Sequence, residues 1–160
     1  MLQIHPFAPV WNEKSRVLIL GSLPSVRSRK EGFYYGHPQN RFWRVLAAVF
    51  DAPVPQAVEE KRALLLSNGL ALWDVIAACR IEGSSDATIR EAEANDVAGL
   101  LRRCPIERIY ANGQTAGKLY HRLLEPVTGR PIVVLPSTSP ANASWGMERL
   151  AEAWRVIVER

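Results

Sequence analysis

Two polar segments of this 160-residue chain hold residue types that could do chemistry. The first begins at Gly21 and reads GSLPSVRSRKEGFYYGHPQNRFW. It lacks a GK[ST] ending, and Gly21, Gly32 and Gly36 do not fall as G-x-G-x-x-G, so neither a P-loop nor a dinucleotide fingerprint is present. It does set three consecutive aromatics, Phe33, Tyr34 and Tyr35, among basic residues, the combination a base-stacking surface uses. Core packing is the competing reading of the same trio. Pro38 suits the first helical position, which would place Gln39 and Asn40 in a first turn. There the Asn40 amide could position a water or a substrate, or simply tolerate a helix end.

The second segment, LPSTSPANASW from Leu135, has hydroxyls, an amide and two prolines but no charge. Its bland role is a turn before the last helix, with Asn142 or Ser144 as N-cap. Stiffened by Pro136 and Pro140, it could equally bind phosphates through hydroxyl and N–H groups and press into a groove. Other constellations are weak. His5, His37 and His121 have no metal-ligand spacing, and no G-x-S-x-G elbow occurs. Cys79 and Cys104 are too few for a four-ligand metal or cluster site, and Cys79 beside Arg80 reads as a lone buried thiol. Neither a metal nor a cofactor is implied.

These segments need elements to hold them. Val17–Leu20, Leu70–Val75, Arg108–Ala111 and Ile132–Leu135 are short apolar runs that each lead into a polar or Gly/Pro stretch, the pattern of buried parallel strands. Apolar residues recur at helical spacing over Asn40–Phe50, Val58–Leu66, Asp96–Leu101, Thr115–Leu124 and Glu148–Val158. The alternation predicts a single domain over residues 1–160, an α/β fold built as a three-layer α/β/α sandwich around a mostly parallel four-stranded sheet. A ligand site then lies beyond the carboxyl ends of the strands, in Gly21–Gln39, Asp74–Asp86, Asn112–Gln114 and Pro136–Ser144.

Charge is unevenly placed. Residues 1–50 hold seven Lys/Arg against two acids, a net +5, whereas the rest of the chain nets −1. Arg27, Arg29, Lys30, Arg41 and Arg44 form a local positive field that suits a polyanion or, more plainly, a solvated basic loop. The longest uncharged stretch is broken by Pro136 and Pro140, so no bilayer-spanning helix is expected. Met1–Trp11 has no basic run leading into an apolar stretch, which argues against a targeting segment and for a cytoplasmic protein.

GSLPS after the first strand, then GFYYGHPQNRFW, and LPSTSPANAS near the end resemble the two active-site motifs of the uracil-DNA glycosylase superfamily. They are most similar to its hypoxanthine-DNA (deoxyinosine) glycosylase branch. The resemblance implies a monomeric, cofactor-free DNA glycosylase of base excision repair that flips a deaminated base out of damaged DNA, with the choice between duplex and single strands left open by the sequence. It assigns the water-positioning role to Asn40, base stacking to Tyr35, and base reading to groups near Ser22, Leu23, Trp73 and Asp74. It also implies phosphate contacts at Gly113 and Ser137, DNA contact by Arg41, and a wedge of Ser139, Pro140, Ala141 and Asn142 that fills the vacated stack. Two departures bear on substrate. Leu23 stands where relatives carry a water-activating Asn or Asp, and Leu135 where uracil-specific members carry a histidine. The alternatives are a uracil- or mismatch-specific glycosylase, a non-catalytic nucleic-acid-binding module, and a metabolic enzyme acting on a free nucleoside.

Overall fold

In the computed structural model, which describes residues 2–4, 8–23, 33–80 and 90–158, a strand β1 (Leu2–Ile4) precedes β2 (Val17–Gly21) and the helices α1 (Phe42–Val49) and α2 (Val58–Ser67). There follow β3 (Leu70–Asp74), β4 (Ile76–Arg80), β5 (Arg90–Ala94), α3 (Val97–Arg103) and β6 (Arg108–Asn112). The chain continues through α4 (Gln114–Leu123), α5 (Glu125–Thr128), β7 (Val133–Leu135) and α6 (Met147–Trp154), with a 3-10 turn at Arg155–Ile157. The four apolar runs form one parallel sheet in the order β3-β2-β6-β7. Because strands alternate their side chains between faces, Val17 and Ile19 enter a core with Phe42, Leu46, Leu65, Leu150 and Trp154. Leu18 and Leu20 enter a second core with Val97, Leu100, Leu119 and Tyr120. The expected three layers are therefore present, with α1 and α6 on one face of the sheet and α3 and α4 on the other. Phe42 meets Trp154 edge to face at 5.9 Å, and truncating either ring to alanine would cost roughly 3–5 kcal/mol.

Parallel register does the positioning. Gly21 pairs with Asp74, and Asn112 pairs with Leu135, so one edge of the sheet collects the ends of all four strands.

Three local expectations need correction. The segment after Val75, read as a loop, continues as β4 and joins β1 and β5 in a small antiparallel sheet of order β1-β4-β5. The charged alternation of β5, REAEA, hides its strand character from any search for apolar runs; residues 81–89 lie outside the described residues. Pro38 does not open a helix. It sits in a turn closed by the Asn40 N–H donating to the His37 carbonyl at 3.0 Å, and α1 starts only at Phe42. Finally, the N-cap of α6 is Gly146, neither Asn142 nor Ser144.

Candidate active site

Asn40 stands just ahead of α1, at the edge where the strands end. Its Oδ1 accepts the Phe42 N–H at 2.9 Å, a local amide-to-backbone bond that caps a helix whose own N-cap residue, Arg41, supplies none. The same oxygen accepts a hydrogen bond from the Thr138 hydroxyl, also at 2.9 Å. Thr138 has 0 % of its surface exposed and is bound twice by Asn112, whose Oδ1 accepts the Thr138 N–H at 3.0 Å while its Nδ2 donates to Thr138 Oγ1 at 3.0 Å. Three segments far apart in sequence thus meet in one polar chain, from the end of β6 through the last loop to Asn40. In the residue expected to position a water, the amide oxygen thus already accepts two hydrogen bonds.

The aromatic trio divides. Phe33 and Tyr34 are core residues, as the packing reading has it, and Tyr34 donates its hydroxyl to the Ala8 carbonyl at 2.9 Å. Burial, reinforced by the nearby Asp74 carboxylate, pushes the Tyr34 phenol far above its usual range and keeps it neutral. Tyr35 is only partly buried. It adopts φ 53°, a left-handed conformation rare for a bulky residue and of the kind found at binding sites, and its ring stacks on Phe42 at 4.1 Å. Gly21 lies beneath. A Cβ there would collide with Asp74 Oδ1 and fall 2.7 Å from the Tyr35 hydroxyl, so a glycine is what lets these two polar groups approach the end of β2. Asp74 is 3 % exposed, a rare burial for a carboxylate.

The remaining base-reading candidates are placed around this point. Leu23 and Trp73 are partly buried, Trp73 packing against both cores. The Ser22 carbonyl accepts the Ile76 N–H at 3.1 Å and the Asp74 carbonyl accepts Asn95 Nδ2 at 2.8 Å, so each of these backbone acceptors is already engaged. Leu135, at 5 % exposure, belongs to the core.

The last loop is fixed by its own polar atoms. Ser137 Oγ accepts the Ser139 N–H at 3.1 Å, Ser139 Oγ accepts the Ala141 N–H at 3.1 Å, and Asn142 Nδ2 donates to the Ser137 carbonyl at 3.0 Å. Pro140 and Ala141 are exposed at its tip. Gly113, at φ 97°, ties the start of α4 to the loop's base, its N–H donating to the Leu135 carbonyl at 2.9 Å with Ser137 packed where a side chain would go. An open cleft of about 550 Å³ runs along this flank, between Gln114, Ser137, Ser139 and Trp145. Arg41, expected to contact DNA, has a structural task as well. Its guanidinium donates to the carbonyls of Trp145, Ser139 and Asn142, the last two at 3.1 Å each. It clamps the loop to the start of α1.

Arg27, Arg29 and Lys30 lie outside the described residues, and Arg44 is exposed on α1. Among the described residues no group of three or more His, Cys, Asp or Glu side chains could hold a metal ion, and no helix is long and apolar enough to cross a membrane. Cys104 is buried, and burial raises its thiol pKa above the usual range. Two members of the polar chain, Asn112 and Thr138, were not singled out by sequence reasoning. Asn112 opens one of the four segments expected to carry chemistry, Asn112–Gln114, and Thr138 lies within another, Pro136–Ser144; those positions are the available signal.

The chain as a whole has relatives. A protein from Methanosarcina acetivorans named hypoxanthine DNA glycosylase is 40% identical over 153 residues, covering 94% of this chain and 95% of that one. Another of the same name from Methanosarcina barkeri is 36% identical, covering 85% and 86% respectively. A solution NMR structure of a Methanosarcina acetivorans protein, provisionally described as a uracil DNA glycosylase, superposes with a TM-score of 0.81 at 36% identity over 98% of this chain and 99% of that one. Residues 8–158 match the family model of the uracil DNA glycosylase superfamily, and the chain belongs to that superfamily.

Proposed function

We propose that this protein is a monofunctional DNA glycosylase of base excision repair, which hydrolyses the N-glycosidic bond of a deaminated base, hypoxanthine foremost, after that base has left the duplex. The observation that carries the reading is Asn40, a neutral amide fixed by the Phe42 N–H and the Thr138 hydroxyl and tied through Asn112 to the end of β6, at the same end of the sheet where Tyr35 and Asp74 meet over Gly21. Relatives spanning nearly the whole chain are named hypoxanthine DNA glycosylases, which supports the choice of base.

Breaking the bond puts positive charge on the sugar and negative charge on the departing base, and water completes the reaction at C1′, leaving a free base and an abasic site. Extruding the base costs a few kcal/mol, least for a mispaired one, which favours damaged sites. In this reading Tyr35, already stacked on Phe42 through one face, stacks the base, and Ser22, Leu23, Trp73 and Asp74 line its edges. Ser139, Pro140, Ala141 and Asn142 fill the gap in the helix, with Gly113 and Ser137 on the phosphates. The enzyme is read as a cytoplasmic monomer.

The test is an end-labelled duplex with one deoxyinosine, incubated with the protein and then treated with alkali. Breakage at the deoxyinosine, and none in the deoxyadenosine control, is expected. Binding without breakage would favour the non-catalytic module instead.

A further inference from the structure

We infer that Asn112 and Thr138 are positioning residues that hold the Asn40 amide with its oxygen turned into the protein, so that Asn40 meets its substrate as a hydrogen-bond donor through Nδ2. The inference rests on Asn40 being the catalytic residue proposed above.

The direction of every hydrogen in the chain follows from two backbone groups. A backbone N–H can only donate. The atom of Asn40 facing the Phe42 N–H is therefore the amide oxygen, and the atom of Asn112 facing the Thr138 N–H is likewise oxygen. That leaves Asn112 Nδ2, a donor with no acceptor capacity, against Thr138 Oγ1. The single hydroxyl hydrogen cannot point back at a donor, so it points forward to Asn40 Oδ1. Thr138 is fully buried, and its own carbonyl accepts the Arg41 N–H at 3.0 Å, so the hydroxyl has a fixed backbone behind it. Such a chain polarises each successive bond in one sense.

The outcome at Asn40 is an oxygen with both lone pairs occupied. Nδ2 has no hydrogen-bond partner among the described residues, and Asn40 is itself partly exposed. An amide presented in this way cannot take a hydrogen from an attacking water. It can donate to the water oxygen, leaving that atom's second lone pair to attack C1′, or donate to a ring nitrogen of the departing purine as charge builds there.

Single-turnover release from a deoxyinosine duplex, measured together with duplex binding and thermal melting, tests the inference. Thr138→Val keeps the side chain's shape and removes the hydroxyl. Asn112→Asp keeps the acceptor for the Thr138 N–H but draws the hydroxyl hydrogen back to itself. Each should slow release by about tenfold or more with duplex affinity within about threefold, the signature of lost positioning. Thr138→Ser, which retains the hydroxyl, should stay within about threefold of wild type. Asn40→Asp should be as slow as Asn40→Ala, down by about a hundredfold, because an oxygen in place of Nδ2 cannot donate. Retained activity in Asn40→Asp would overturn the donor assignment, and equal losses in Thr138→Val and Thr138→Ser would overturn the relay. Duplexes containing 3-deaza- or 7-deazahypoxanthine separate the two acceptors, because the variants' effect vanishes on removal of the nitrogen only if that nitrogen is the acceptor. Should the wild type release no hypoxanthine, the functional reading fails and the relay is judged by side-chain amide NMR. Thr138→Val should then shift the Asn40 and Asn112 NH₂ signals together and leave Asn142 in place; unmoved Asn40 and Asn112 signals would overturn it.

Discussion

Tyr34 and Tyr35 are adjacent and chemically identical, yet the fold gives them opposite tasks. Tyr34 is 2 % exposed, wedged edge to face on Phe33 at 5.5 Å, and hydrogen-bonded to the chain near Ala8. Tyr35 turns through a left-handed backbone, lies on the rim of the core against Phe42, and keeps part of its surface in solvent. Substituting Tyr34 with alanine should therefore lower stability by about 3–5 kcal/mol, as other large aromatic truncations in cores do. Tyr35→Ala, which loses a partly exposed ring stacked on Phe42, should cost about 1–2 kcal/mol of stability, well below the Tyr34 loss, while weakening productive duplex binding by about 1–3 kcal/mol, the usual worth of a base–aromatic stack. Calorimetry on both variants, combined with single-turnover kinetics, would check the division. A Tyr35→Ala variant that melts as early as Tyr34→Ala and binds normally would return that residue to the core. Pattern alone could not split the pair, because a positive φ at one residue leaves no periodicity in the sequence.

The strands were legible because a parallel sheet covered on both faces needs apolar runs such as VLIL, and few other structures do. The start of α1 was not. Pro38 and Asn40 carry helix-opening chemistry, but the last loop arrives through Thr138, whose carbonyl takes the Arg41 N–H, and Asn40 is held outside the helix to reach the Thr138 hydroxyl. Contacts between residues 98 positions apart decide that boundary. Arg41 follows the same logic. Its charge suggested a phosphate, whereas its planar fork serves three carbonyls of the loop, a geometry lysine cannot reproduce. Both Arg41→Ala and Arg41→Lys should thus lower the melting temperature by several degrees and slow base release. The salt dependence of duplex binding should change by well under the roughly 0.9 in log–log slope that a lost phosphate contact produces. Titrations of both variants from low to moderate salt would read this directly, and a slope reduced by a full contact would restore Arg41 to the DNA.

Across the molecule, the parallel sheet brings the ends of its four strands to one edge, with leucines at the two positions where the resemblance places uracil-directed chemistry. Leu135 lies in the core and Leu23 packs partly buried against the second core, so neither can charge a water or steady a departing pyrimidine oxygen. What the edge does offer is the Asn40 amide, the buried Asp74 carboxylate and the polar loop, a set better matched to a base that departs readily. Hypoxanthine fits in a further respect, since it presents N7 and O6 acceptors together, whereas uracil has no counterpart to N7. Release from deoxyinosine duplexes should accordingly outpace release from otherwise identical uracil duplexes by at least about tenfold, equivalent to roughly 1.4 kcal/mol of differential transition-state binding. Side-by-side single-turnover assays at one salt concentration would decide it. Equal or reversed rates would transfer the enzyme to the uracil-directed side of its superfamily, and Asp74 would then be the first residue to re-examine as the group that reads the base.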